Sequence, residues 1–139
     1  DHKALLFSRE KNLLVIPITL AEIPEEQKFQ AGLRSNAYGN YVYQGSYVYH
    51  ISPQTGFILK GRITHYTDEG QFKKSGYYFG YGDATIKRNL YIENNLYSIS
   101  DSKIMVHDLT NLEELGEVKL TQIQPPIIIE ENEIEALPR

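Results

Sequence analysis

Four histidines, two long tyrosine-rich segments and a scatter of carboxylates are the parts of this sequence with chemistry to offer. His2 and His65 bracket the first strand-rich stretch. Beside a carboxylate such as Asp68, Glu69 or Asp83 they would form a two-imidazole, one-carboxylate metal site, a donor set suited to a borderline divalent cation. More often such histidines fix turns by hydrogen bonding. His50 and His107 fall at matching places in two similar stretches, which favours a structural role for both. The segments Ala21–Gln44 and Tyr66–Thr85 carry Tyr38, Tyr41, Tyr43, Tyr66, Tyr77, Tyr78 and Tyr81, with glycines between them and Asp83 at the end of the set. Tyrosine joins broad, stiff contact area to a polar hydroxyl, so these positions are expected to form a surface for a protein, peptide or glycan, or else to pack the loops onto the strands.

Other chemistry finds little purchase. Glu22, Glu25 and Glu26 flank Pro24, a pattern that predicts a single helical turn with acids at its start. Spacing that local does not argue a catalytic carboxylate pair. The stretch GYYFGYGD has glycines but no strand–loop–helix context for a phosphate loop. EF-hand loops, nucleophile elbows and two-histidine zinc helices are absent from the sequence. No catalytic residue and no cofactor is therefore assigned.

The elements that must hold these residues are bounded first by composition. A chain of 139 residues with 41% hydrophobic and 23% charged side chains is the size and make-up of one ordinary globular domain. A net charge of −4 argues against a nucleic-acid partner. No apolar run approaches the roughly 18 residues of a membrane span. Zero cysteines exclude disulfides and thiolate metal sites. The sequence opens on Asp1 without an initiator methionine or leader, so a processing or cloning boundary is expected there.

Alternating apolar patterns dominate. Strands are predicted at Ala4–Ser8, Leu13–Leu20, Gly45–Ser52, Phe57–His65, Ile86–Ile92, Leu96–Ser100, Lys103–Leu109 and Leu115–Leu120, with turns at Arg9–Asn12 and Pro53–Gly56. Pro17 cannot donate to a ladder and is expected at a bulge or near a strand end. YVYHISPQTGFILKGRI and IMVHDLTNLEELGEVKL share one plan, an alternating strand, a polar turn and a strand containing a glycine. The hairpins upstream, ALLFSREKNLLVIPI and RNLYIENNLYSIS, also correspond. Two copies of a four-stranded antiparallel unit result, an all-β arrangement of the β-propeller blade type. Blade one runs about 3–65 with an insertion at 21–44, a connector occupies 66–85, and blade two runs about 86–120. The propeller-like region is 1–124, and 125–139 is an acidic tail or an added strand.

SDSKIMVHDLTNLEELGEV resembles the WD-repeat pattern, with Asp101 at the turn aspartate and His107–Asp108 where Trp–Asp would stand. DHKALLFSREKNLLVIPI, GRITH and IKRNLYIENNLYSISDSKI resemble the secreted bacterial and archaeal β-propeller domain family distantly related to WD repeats. That resemblance implies a propeller fold and an extracellular or cell-surface location, and it carries no reaction with it. Two blades alone leave apolar faces in water. The chain is thus expected to be completed by further blades, by copies of itself, or by its two units closing as a sandwich. The expected function is a non-catalytic binding or assembly module with the tyrosine-rich loops as ligand face. The alternative is a metal-assisted hydrolase on that same face.

Overall fold

Side-chain alternation with period two places one set of residues on each side of every strand, and pairing neighbours then aligns those sets into sheet faces. A computed structural model describes residues 4–28, 39–68 and 84–120. The first sheet holds β1 (Leu6–Ser8), β2 (Leu13–Glu22), β3 (Asn40–Ser52) and β4 (Gly56–Ile63), with the helical turn α1 (Glu25–Lys28) after β2. The second holds β5 (Arg88–Ile92), β6 (Asn95–Ile99), β7 (Lys103–Asp108) and β8 (Glu114–Lys119). Each sheet is antiparallel and ordered as in the chain, β1-β2-β3-β4 and β5-β6-β7-β8.

The turns follow their residue chemistry. Arg9–Asn12 closes with the Asn12 N–H donating to the Arg9 carbonyl, and Asn12 adopts a positive φ of 49°, a conformation asparagine tolerates well. In the two-residue turn Glu93–Asn94, Glu93 takes φ 55°. Pro24 precedes α1, and its carbonyl accepts the Lys28 N–H, as the helical-turn reading required.

Three expectations are corrected. Pro17 lies within β2 opposite Ser46, not at a bulge or an end; the irregularity falls instead between Leu20 and Ala21. Proline is tolerated there because β1 reaches only to Leu6, opposite Val15, so among the described residues no strand pairs with Pro17 on its β1 side. The insertion is also shorter than 21–44, since Ala21 pairs with Tyr41 and Leu20 with Tyr43, carrying the ladder to Glu22 and Asn40. Tyr41 and Tyr43 are therefore strand residues. The third correction concerns the histidines and follows from how the sheets stack.

Leu13, Val15, Val48 and Ile63 from the first sheet meet Ile86, Leu96 and Leu109 from the second in one core. Val15, Val48 and Leu96 are fully excluded from solvent, each contributing about 1.5–3 kcal/mol by burial. Leu6, Tyr91 and Leu112 pack at its margin. Cross-sheet contacts join Ser8 to Tyr91, Ser46 to Asn89 and Gln44 to Ile86, while His65, just past β4, meets Ser98 of β6, and Gly61 of β4 meets the β7–β8 turn. First strands thus lie near first strands and last near last, so the sheets stack in the same sense, the rear of one on the front of the next.

His50, opposite Leu13, faces the second sheet, whereas His107, opposite Leu96, faces back toward the first. They project from opposite sides of their own sheets and are not corresponding positions. Gly61, opposite Val48, and Gly116, opposite Val106, do point the same way round. Leu112, at φ 59°, reaches across the seam onto Gly61, where an added Cβ would stand 2.7 Å from its Cδ1. Gly116 on the far side of the second sheet has nothing within 4 Å of the same point.

Candidate functional site

Polar side chains cross the seam at the end of the sheets where the insertion and the connector leave. Gln44, 1% exposed, donates from Nε2 to the Ile86 carbonyl (3.3 Å) and accepts the Ile86 N–H at Oε1 (3.1 Å). Its amide imitates a strand neighbour for a residue that has left the ladder. Replacing Gln44 with leucine leaves both Ile86 backbone groups unpaired in a dry seam. A loss of about 1–3 kcal/mol in urea unfolding is expected. Two residues on, the Ser46 hydroxyl donates to Asn89 Oδ1 at 2.9 Å.

His65, just past β4, inserts between two serines of the second sheet. Its Nδ1 lies 2.9 Å from Ser100 Oγ and its Nε2 2.8 Å from Ser98 Oγ. Ser100 donates its hydroxyl proton to the Lys103 carbonyl, so Nδ1–H donates to Ser100 and Nε2 accepts from Ser98. The neutral ring is therefore fully satisfied. Burial, then the positive charge of Lys103 and the neighbouring His107, push its pKa down to about 4, against a smaller upward pull from Glu117. His107 is lowered as well, mainly by burial, and its Nδ1 has no hydrogen-bond partner among the described residues.

This contact resembles a nucleophile–base pair only on paper, because Ser98 is 0% and Ser100 3% exposed and no substrate carbonyl reaches them. The geometry joins two sheets, as a turn-fixing histidine would. Among the described residues no group of three or more histidine, aspartate or glutamate side chains could hold a metal ion. His2, Tyr38, Tyr77, Tyr78, Tyr81 and Asp83 lie outside the described residues.

Tyr43, Tyr66 and Tyr91 use their hydroxyls within the framework. Tyr43 donates to the Ile63 carbonyl at 3.0 Å, its ring folded over Gly45, where an added Cβ would collide with the phenol and the Ile63 carbonyl. Burial, partly opposed by the positive charge of Arg62, raises the Tyr43 pKa to about 12. Tyr66 meets Thr85 at 3.0 Å and ties together the two ends of the connector. The register shift after Leu20 puts Tyr41 and Tyr43 on opposite sides of the sheet.

A site that the sequence reading did not single out lies on the side of the first sheet away from the seam. Tyr43, Tyr47, Tyr49 and Phe57 form a continuous ladder, with ring centroids 5.6, 6.2 and 6.1 Å apart. The Arg62 guanidinium sits 5.2 Å from the Tyr43 ring centre and 5.8 Å from that of Tyr47. Phe57 is 67%, Phe7 57% and Leu59 48% exposed. The far side of the second sheet is apolar as well, with Ile92 57% and Val118 59% exposed. The alternation of Tyr47, Tyr49 and Ile51 was the visible signal for the ladder.

Two antiparallel four-stranded sheets stacked rear to front, each leaving an apolar side open, are the architecture of adjacent propeller blades. The beta propeller domain family matches residues 1–112. The chain belongs to that family. No curated protein and no solved structure gives a match. The two sheets are consecutive propeller blades, and the seam between them is a blade–blade contact. A cavity of about 250 Å³ opens on its turn side, lined by Lys11, Leu13, Lys60, Asn94, Leu109 and Thr110. Lys60 spans the seam there to the Leu109 carbonyl, and the Lys11 ammonium stands 5.4 Å from the Tyr91 ring centre. No helix among the described residues is long and apolar enough to cross a membrane.

Proposed function

We propose that this chain is a non-catalytic binding or assembly module of a β-propeller protein acting outside the cell or at its surface. The observation that carries this reading is the aromatic front of blade one, where the exposed Phe57 continues a ladder of half-buried Tyr43, Tyr47 and Tyr49. Exposed apolar surface of this kind on a folded sheet costs solubility unless something covers it. Stiff tyrosines and an arginine supply contact area and orientation at low entropic cost. Protein is the partner class best matched to a flat face of this breadth.

The reading predicts that the dilute isolated chain binds the hydrophobic probe ANS. The double substitution Phe57→Glu, Leu59→Glu is expected to reduce that fluorescence by half or more, while far-UV circular dichroism is unchanged. A dilute wild-type monomer that does not bind the probe sinks the reading, because its faces would already be covered.

A further inference from the structure

We infer that the cavity on the turn side of the blade–blade seam is a binding site for a carboxylate carried on a short apolar stem, supplied by an acidic side chain of a peptide or by a small free acid. The site lies between the two blades, draws on neither outer face and is additional to the assembly reading above. Three features carry it.

First, two ammonium groups meet there without a counter-charge. Lys11, from the β1–β2 turn, and Lys60, from β4, line the same cavity of about 250 Å³. Lys11 is held over the Tyr91 ring and Lys60 reaches the Leu109 carbonyl, so both are positioned. Neither pairs with a carboxylate among the described residues. Like charges gathered in one recess repel, and an anion between them relieves that repulsion. Asp108, which borders Asn94 and Thr110, is committed to its own turn. Its Oδ1 accepts the Thr110 N–H at 2.6 Å and Asn94 Nδ2 at 3.3 Å.

Second, the fold aims Lys60 at the cavity without requiring a lysine. Val48 pairs with Gly61 and Tyr49 with Leu59, so Lys60 is the extra residue of a β-bulge, a device that re-aims a side chain. Blade two carries the same bulge, with Val106 opposite Gly116 and His107 opposite Glu114, and its extra residue is Leu115. The bulge therefore accepts leucine, and the charge on blade one serves something other than the bulge. The bond to the Leu109 carbonyl uses one of the three ammonium protons and leaves two.

Third, the donors left over match a carboxylate. The Lys11 N–H goes to Ser8 Oγ, the Leu109 N–H to the Asn94 carbonyl and the Thr110 N–H to Asp108. Thr110 Oγ1 accepts from Asn94 Nδ2 at 3.0 Å, which leaves its own proton to donate. Two ammonium groups and one hydroxyl suit two carboxylate oxygens. A phosphate favours a nest of free backbone N–H groups, and these three are already used. Buried Leu13 and Leu109 supply an apolar wall for the stem. The volume falls below the roughly 300–1,000 Å³ of drug-sized pockets, so the guest is a single side chain or a small acid.

The test is an NMR titration of the whole chain, following the amide signals of Lys11, Asn94, Leu109 and Thr110 at matched ionic strength. Butyrate is expected to shift them saturably. Butyramide, of the same shape without the charge, is expected to bind about tenfold more weakly. Lys60→Leu, which copies the blade-two bulge, and Lys11→Gln should each weaken butyrate about tenfold with far-UV circular dichroism unchanged. A blocked tripeptide with a central glutamate separates the sources: tighter binding than butyrate assigns the site to a peptide side chain, weaker binding to a free acid.

Butyramide binding as well as butyrate overturns the carboxylate assignment, and so does inorganic phosphate binding as tightly. Unshifted amides, or butyrate binding that survives both lysine substitutions, overturn the site. Either failure leaves the ANS prediction standing, because that probe reads the sheet face away from the seam.

Discussion

Acidification from pH 6.5 to pH 4 is expected to cost the chain on the order of 3 kcal/mol of stability through His65 alone. In the folded chain this histidine holds on to neutrality down to about pH 4, whereas an unfolded histidine titrates near 6.5. Between those values the unfolded chain binds more protons than the folded one, so stability falls as pH falls. The contribution is intact above 6.5 and gone below 4. His107, also lowered by burial, adds to the loss in the same direction. The titratable groups acting on the two rings are Lys103, His107 and Glu117 on His65, and Glu114 on His107. Urea midpoints at half-unit pH steps would measure the slope. His65→Gln should flatten most of it, at a fixed penalty for imperfect pairing with Ser98 and Ser100. A variant that retains the full slope would show that the acid sensitivity lies elsewhere.

Filling the notch at Gly61 is the second large effect. Gly61→Val is expected to destabilise the chain by about 3 kcal/mol, the upper end of the usual cost of overpacking. Its Cβ would stand 2.7 Å from Leu112 Cδ1, and Leu112 has little freedom to retreat. Its N–H donates to the Asp108 carbonyl at 2.8 Å, and its backbone is already held at a positive φ. Shortening the intruding side chain with Leu112→Ala should recover part of the loss, giving a coupling of about 1 kcal/mol or more in a double-mutant cycle. Gly116→Ala is the control: with nothing within 4 Å of its added Cβ, it should be neutral to within about 0.5 kcal/mol. Equal costs at both glycines in the monomer would refute the account of Gly61.

Most strands were legible because their information is local. Tyr47, Tyr49 and Ile51 alternate with Val48 and His50, and the polar turns at Arg9–Asn12 and Pro53–Gly56 mark where pairs reverse. The insertion was drawn too wide because Gly39 and Gly45 flank Tyr41–Gln44 and read as loop, although that stretch pairs with β2. The seam was the illegible part. His65 meets serines more than thirty residues away, and no spacing rule connects them. One signal was available: Gln44, Ser46, Asn89 and Ser98 put polar groups at buried strand positions, which demands partners within the protein. The equivalence of His50 and His107 misled because similar turns can be offset by one residue, and one residue changes the face.

The uneven joints of the two blades bear on the order in which the molecule assembles itself. β6 and β7 are joined through residues 100–102 alone, whereas β2 and β3 pair across residues 23–39. Chain closure over the longer span costs roughly 1.5 kcal/mol more. By that term the second sheet, made after the first on the ribosome, zips more readily, while the first sheet must wait for its distant halves to meet. Blade two then serves as the template on which blade one condenses, and the chain matures from its later half toward its earlier one.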